Sequence, residues 1–234
     1  MRFFIGLHQP SDARHFSQCM ISVNRLKTKK KDFRVNDWMM DSGAFTELSK
    51  HGHYRESVKI YADYVNRWKT CGNMLIAVSQ DYMCEDFILN KTGLTLRDHQ
   101  LRTVERYVEL KNLTDAPIMP VLQGYEPEDY MQHVLDYGSE IQGWVGVGSV
   151  CKRNTNPQSI QNVLEGITSL RPDLKLHGFG VKITSLKNEY IRNTFYSTDS
   201  MAWCYSARMQ GRNPNDYQEA QKYIERIEEV LHGI

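Results

Sequence analysis

No stretch of this 234-residue chain approaches the roughly 20 consecutive apolar residues that a membrane-spanning helix needs. Neither sign of charge dominates: 29 Lys and Arg stand against 28 Asp and Glu, a formal net charge of +1. That balance does not suggest a histone-like grip on nucleic acid. Contact with a polyanion would have to come from local patches, because charge acts over about 10 Å at ordinary salt. Cysteine is sparse and odd in number, with Cys19, Cys71, Cys84, Cys151 and Cys204 widely spaced and no Cys-x-x-Cys pair. Neither a disulfide framework nor a metal site is signalled, and reduced, packed thiols are expected. The opening Met1-Arg2-Phe3-Phe4-Ile5-Gly6 runs straight into a strand-like pattern, without the long apolar region and cleavage site of a signal peptide, so the expected location is the cytoplasm. No internal repeat, linker or low-complexity tract interrupts residues 1–234, and one domain is expected.

What the chain does have is apolar material, 41% of residues, enough for a substantial core. It is arranged as short apolar runs alternating with amphipathic segments. The runs Phe3–Leu7, Trp38–Met40, Leu75–Ser79, Ile118–Leu122, Trp144–Val147, Leu174–Gly178 and Phe195–Ser197 predict strands. Between them the 3.6-residue period predicts helices over Tyr54–Cys71, Leu96–Leu113, Pro127–Tyr137, Pro157–Leu170 and Asp216–Leu231. In the second of these the apolar stripe reads Leu101, Val104, Val108 and Leu110. Alternation at this spacing implies a parallel α/β sheet, and six or seven units favour a closed (β/α)8 barrel of the TIM type, allowing for an irregular or incomplete last unit.

After nearly every predicted strand comes a polar or glycine-rich cluster: His8-Gln9, Asp41-Ser42-Gly43, Gln80-Asp81, Gln123-Gly124, Gly146-Val147-Gly148-Ser149, Gly178-Phe179-Gly180 and Asp199-Ser200. Any one of these is explained by helix capping or a tight turn. Together they are not, because capping requires neither glutamine at Gln80 and Gln123 nor aromatic rings beside the glycines. In a barrel they would converge on one mouth, where active sites are built. Two carboxylates, Asp41 and Asp199, could there divide the labour of attacking a sugar anomeric carbon and moving a proton to the leaving group. Asp81 and Gln123 could hydrogen-bond an amino-purine edge, with Ser42 and Gly180 beside them. Backbone N–H groups near Gly146, Gly148 and Ser149 could bind a base carbonyl, and Phe45 and Phe179 could clamp a flat ring. Glycosidases and sugar-phosphate isomerases use similar parts, so composition leaves those classes open.

The string Asp41-Ser42-Gly43-Ala44-Phe45 resembles the Asp-Ser-Gly-Gly-(Phe/Tyr) motif of the tRNA-guanine transglycosylases. Asp81, Gln123-Gly124, Gly146–Ser149, Gly178-Phe179-Gly180-Val181 and Asp199 follow in matching order. The strings Ser79-Gln80-Asp81-Tyr82-Met83-Cys84-Glu85, Pro120-Val121-Leu122-Gln123-Gly124, Val145–Cys151, His177–Lys182 and Asp199-Ser200-Met201-Ala202-Trp203 are similar to the DpdA-like branch, the deazapurine DNA-modification transglycosylases. The resemblance spans roughly Phe3 to Arg208. It implies that Asp199 is the nucleophile and that Asp41 is the general acid/base. It further implies that Asp81, Gln123 and the Gly148 backbone read the base while Phe45 and Phe179 sandwich it. The implied partners are DNA and a free 7-deazaguanine (preQ0-like) base, exchanged for guanine without cofactor. The tRNA enzymes carry a C-terminal zinc cluster. Here only Cys204 and His232 follow Asp199, so no zinc is expected, which favours DNA over tRNA. The chain is short for the family, as a minimal, phage-encoded version would be. Candidate phosphate contacts are Lys29, Lys30 and Lys31 in the basic run from Arg25 to Arg34, with Lys152, Arg153, Lys182, Arg208 and Arg212. The basic run is expected on the pocket side. The rival readings are a tRNA-guanine transglycosylase, a nucleosidase or glycoside hydrolase on the same barrel, and a non-catalytic DNA-binding module.

Overall fold

The computed structural model describes residues 1–233. In chain order its strands are β1 Arg2–Leu7, β2 Gln18–Ser22, β3 Asp37–Asp41, β4 Asn73–Val78, β5 Ile118–Met119, β6 Val121–Leu122, β7 Trp144–Val147, β8 Lys175–Gly178 and β9 Phe195–Ser200. All pair in parallel, in the order β5-β4-β3-β2-β1-β9-β8-β7-β6. The two ends of that order, β5 and β6, are consecutive pieces of one run, parted by Pro120, which has no N–H to donate to a ladder. On one side of this run Ala77 N donates to Pro117 O at 2.9 Å and Ser79 N to Met119 O at 3.0 Å. On the other, Gly146 N donates to Pro120 O at 2.8 Å and Gly148 N to Leu122 O at 2.9 Å. The sheet therefore closes on itself, and the fold is a TIM-type α/β barrel.

Side chains of each strand alternate between two faces. Phe4, Met20, Met39, Ile76, Val78, Met119 and Val121 fill the barrel interior. Their neighbours Ile5, Ile21, Trp38, Met40, Ala77, Leu122, Val145 and Leu176 face outward into the main core beneath the helices. Those helices are α1 Ala44–His51, α2 Val58–Trp68, α3 Asp86–Thr92, α4 Leu96–Leu113, α5 Pro127–Tyr137, α6 Pro157–Leu170, α7 Ile183–Leu186, α8 Glu189–Thr194, α9 Ala202–Met209 and α10 Tyr217–His232. Proline at the first turn starts α5 and α6. Thr95 and Asp98 form a capping box on α4. No described helix is long and apolar enough to cross a membrane.

Three features depart from the sequence expectation. Strand β2 has no counterpart among the predicted strands, because its five residues lie between two 3-10 turns, Pro10–His15 and Val23–Arg25, rather than between helices. The irregular units are thus the first two, which lack α-helices, whereas β9 is followed by both α9 and α10. Helix α4 matches the expected stripe only in part: Val104 and Leu110 pack inward, but Leu101 and Val108 are exposed, and His99, Gln100, Thr103 and Tyr107 are buried instead. A polar inner face is favourable here because the barrel loops offer it hydrogen-bond partners.

Candidate active site

Period-two alternation fixes what reaches the mouth. Met39 in the interior puts Asp41, two residues on, at the C-terminal end of β3, and Met20 likewise puts Ser22 beside it. Asp199 is on β9, where it pairs with Phe4 of β1, and Gly6 and Leu7, further along β1, line the same cavity. Gln123, Gly148 and Phe179 follow directly on β6, β7 and β8, and Asp81 is three residues past the end of β4. These residues converge on one cavity of about 640 Å³, lined by Asp41, Asp81, Gln123, Gly148, Phe179 and Asp199, with Met20, Val78, Met83 and Met201 supplying apolar surface. Its size is that of a small-molecule site.

Asp41 Oδ2 accepts from Gly43 N at 3.1 Å. Gly43 has φ of +75°, and a Cβ there would lie 2.4 Å from the Asn24 side chain, so only glycine lets the turn fold back onto the carboxylate. Burial pushes the Asp41 carboxyl above its ordinary range. The Asp199 charge adds to this, against hydrogen bonds from Ser22 and from the Gly43 and Ser42 backbone. The Oδ1 of Asp199 accepts from Gly180 N at 3.0 Å and contacts His177 Nε2 at 3.3 Å.

In the same cavity, Gln123 Nε2 donates to Asp81 Oδ2 at 2.5 Å and Ser149 Oγ donates to Gln123 Oε1 at 3.1 Å. Burial raises the Asp81 carboxyl to about 7, against the Gln123 hydrogen bond and reinforced by Asp41. Gln123 is held from behind as well. Its N–H donates to His133 Nδ1 at 2.8 Å, and its carbonyl accepts from Gln100 Nε2 at 2.8 Å. His133 is neutral, lowered by burial to about 4, as an imidazole accepting at Nδ1 must be. A Cβ at Gly148 would lie 2.2 Å from the Gln123 amide, and one at Gly146 2.5 Å from the Phe179 ring. Both glycines make room for the residues expected to read and stack a base. Ser149, at φ of +61°, is a non-glycine residue held in the left-handed region beside them.

The aromatic pair is asymmetric. Phe179 is half-buried, whereas Phe45 is 52% exposed at the rim. There it meets Phe87 edge-on, with centroids 6.3 Å apart and Lys152 Nζ within 6 Å of both ring centres. Ser42 is buried behind the cavity wall with its hydroxyl unpartnered, and Gly146 lies beneath Phe179 rather than on the wall. Gly180 is on the wall.

Of the expected phosphate contacts, Lys152 and Lys182 are exposed after β7 and β8, and Arg208 lies close enough to His8 to help, after burial and with Arg25, to lower that imidazole's pKa. Arg153 and Arg212 are engaged within the protein, on Tyr125 and on Glu219. The segment Lys29, Lys30 and Lys31 is not on the pocket side. Lys30 O accepts from Arg67 near the end of α2, and Phe33 packs on Trp38 and Trp68, where the chain returns to the start of β4. The basic run is drawn away from the mouth because Phe33 and Val35 are buried in the outer core. Only Arg25, at its beginning, lines the cavity, together with His8, Asn24 and Lys50. The sequence pattern signals His8 but holds no cue for Ser22 or Asn24, since the strand that presents them is not visible in it.

Among the described residues no group of three or more His, Cys, Asp or Glu side chains is placed to hold a metal ion. Cys204, the one cysteine after Asp199, hydrogen-bonds the Met201 carbonyl.

The profile of the DpdA family, described as DeoxyPurine in DNA protein A, matches residues 1–222. The chain belongs to the DpdA family. That description concerns deoxypurines in DNA, which fits a mouth where carboxylates face an amide and an aromatic ring. A search among curated proteins finds no match.

Proposed function

We propose that this DpdA-family protein is a pentosyltransferase that exchanges guanine in DNA for a free 7-deazaguanine base through a covalent aspartyl-deoxyribose intermediate. The observation that carries this reading is the meeting of two carboxylates, Asp41 and Asp199, in one cavity with the Asp81–Gln123 pair. Asp199 attacks the anomeric carbon. The electron pair of the glycosidic bond leaves with guanine, which takes its proton from Asp41, a group whose raised pKa suits it to holding one. The incoming base returns that proton to Asp41 as its nitrogen displaces the carboxylate. Asp81 and Gln123 accept from and donate to the purine edge, and Phe179 offers a stacking face. No redox or energy-supplying step is needed, since one glycosidic bond replaces another.

Denaturing gels of protein incubated with DNA, combined with mass spectrometry of the DNA nucleosides after adding a 7-deazaguanine, test this. The wild type is expected to give a covalent adduct and a modified nucleoside. Asp199→Asn is expected to give neither, because an amide cannot replace the attacking carboxylate. Asp41→Ala is expected to slow exchange and let adduct accumulate. An adduct that persists in Asp199→Asn and vanishes in Asp41→Ala would reverse the two roles. Guanine released without exchange would mark a hydrolase, and transfer into tRNA but not DNA a tRNA enzyme.

A further inference from the structure

Behind Asp199 lies a row of side chains that the exchange chemistry does not use. Trp144 on β7, His177 on β8 and Ser197 on β9 all point into the barrel, and His177 and Ser197 are fully buried. Trp144 Nε1 donates to Ser197 Oγ at 2.7 Å, and the same Oγ lies 2.8 Å from His177 Nδ1. An indole N–H can only donate, whereas a hydroxyl both donates and accepts. With its oxygen accepting from Trp144, Ser197 has its own proton to give, and His177 Nδ1 is the acceptor within reach. The imidazole proton is then on Nε2, which faces Asp199 Oδ1 at 3.3 Å. The opposite tautomer would leave the Ser197 proton without that acceptor and set a ring lone pair against the carboxylate. Phe4 and Phe179 contact the ring edge-on at 6.4 and 4.8 Å between centroids, closing off other orientations.

We infer that Trp144, Ser197 and His177 form a directional hydrogen-bond row that fixes the Nε2–H tautomer of His177 and grips Asp199 by Oδ1, so that Oδ2 is the oxygen that attacks. This rests on Asp199 being the nucleophile. Gly180 N shares the grip on Oδ1. On attack the bond from Oδ2 to the anomeric carbon forms, the glycosidic electron pair leaves with the base, and Oδ1 becomes the ester carbonyl. On the return step the electron pair of the carbon–Oδ2 bond goes back to the carboxylate, and the His177 hydrogen bond strengthens as the charge reappears. His177 touches no reacting atom and is a positioning residue.

Two measurements on the full chain judge this. Nitrogen NMR of histidine-labelled protein at neutral pH, with the His177 resonance assigned by loss in His177→Gln, is expected to show the Nε2–H tautomer. That preference is expected to weaken in Ser197→Ala. The second measurement is the rate of adduct formation at saturating DNA. Losing the grip that orients Oδ2 is expected to slow it about ten- to hundred-fold in His177→Leu. The KM for DNA should not change, and His177→Gln should restore most of the rate, because its amide N–H stands near the place of Nε2. Ser197→Ala, a small change that leaves the barrel packing in place, is expected to lie between. An Nδ1–H tautomer in the wild type, an equal loss in His177→Gln and His177→Leu, or a change confined to KM would overturn the inference. If the wild type exchanges no base, the proposed function fails, and the tautomer measurement still judges the row.

Discussion

Asp81 shows how a single residue can be tuned against its own stability. Its side chain is buried at the mouth, and burial holds its carboxyl at about 7. The folded chain therefore keeps a proton that the unfolded chain releases near pH 4. Stability contributed by this proton is present at low pH and is lost as pH rises from about 4 through 7. Between pH 5 and pH 8 that single group is expected to cost about 2–3 kcal/mol. Asp81→Asn removes the titration while still offering Gln123 Nε2 an acceptor. The variant is expected to melt several degrees higher than wild type at pH 8, to lose most of that advantage at pH 5, and to bind a guanine-like base more weakly at both. Calorimetric melts and base titrations at the two pH values check this. A wild type no less stable relative to Asp81→Asn at pH 8 than at pH 5 would show that Asp81 is ionised throughout. Glu85 is a second buried acid pushed upward by burial, with both oxygens unpartnered, and it bends the stability curve in the same direction.

At the scale of the element, α4 carries the clearest lesson about reading sequence. Its length and both ends match the predicted Leu96–Leu113, because the 3.6-residue period and the Thr95 cap are local signals. Its inward face matches only in part: Val104 and Leu110 pack inward as expected, but the apolar count favours Leu101 and Val108 over His99, Gln100 and Thr103. Those polar residues are buried only because they find partners far away in sequence. His99 Nδ1 meets Met83 O at 2.6 Å, Thr103 Oγ1 accepts from Tyr82 N at 2.8 Å, and Gln100 Nε2 donates to both Gln123 O and Asp129 O at 2.8 Å. The helix thus acts as a brace for the loops that present Asp81 and Gln123. Gln100→Ala leaves two carbonyls short of a donor, and is expected to cost about 1–3 kcal/mol and to weaken base binding. Leu101→Ala on the outer face is expected to stay within about 0.5 kcal/mol of wild type. Denaturant unfolding of both variants separates the polar face from the apolar one, and equal losses would refute the brace. Strand β2 escapes a sequence reading for a related reason: five residues between short turns carry too little period to register, and only pairing with β1 and β3 makes them a strand.

For the molecule as a whole, a net charge of +1 means that DNA affinity must come from where the cations stand. Arg25 lines the mouth, Lys152 stands over the exposed Phe45 and Phe87 rings, and Arg208 flanks His8. Lys29, Lys30 and Lys31 lie toward the other end of the barrel. Neutralising Arg25, Lys152 and Arg208 together is expected to weaken DNA binding. The slope of log affinity against log salt should flatten by about one unit for each phosphate that is no longer neutralised. Neutralising Lys29, Lys30 and Lys31 is expected to leave the slope unchanged. Binding isotherms over a range of salt concentrations check both, and the reverse result would place DNA on the opposite end of the barrel.

By itself the sequence determined what is local or repeated: strand–helix alternation, a polar cluster after each strand, and a pair of carboxylates, an amide and aromatic rings in a fixed order. Period two then dictates that Asp41 and Asp199 share a face with Met39 and Ser197. Only the tertiary structure decided which of these meet. Closing the sheet through the Pro120 run brings Asp81 against Gln123, 42 residues away, and sets His177 between Asp199 and Ser197. The same closure, with Phe33 and Val35 anchored in the outer core, carries a lysine run away from the mouth although it begins at a residue on the cavity wall. A local pattern fixes the direction of a side chain relative to its own backbone. Its partner is fixed by the burial and hydrogen bonding of distant segments, which no local window of sequence contains.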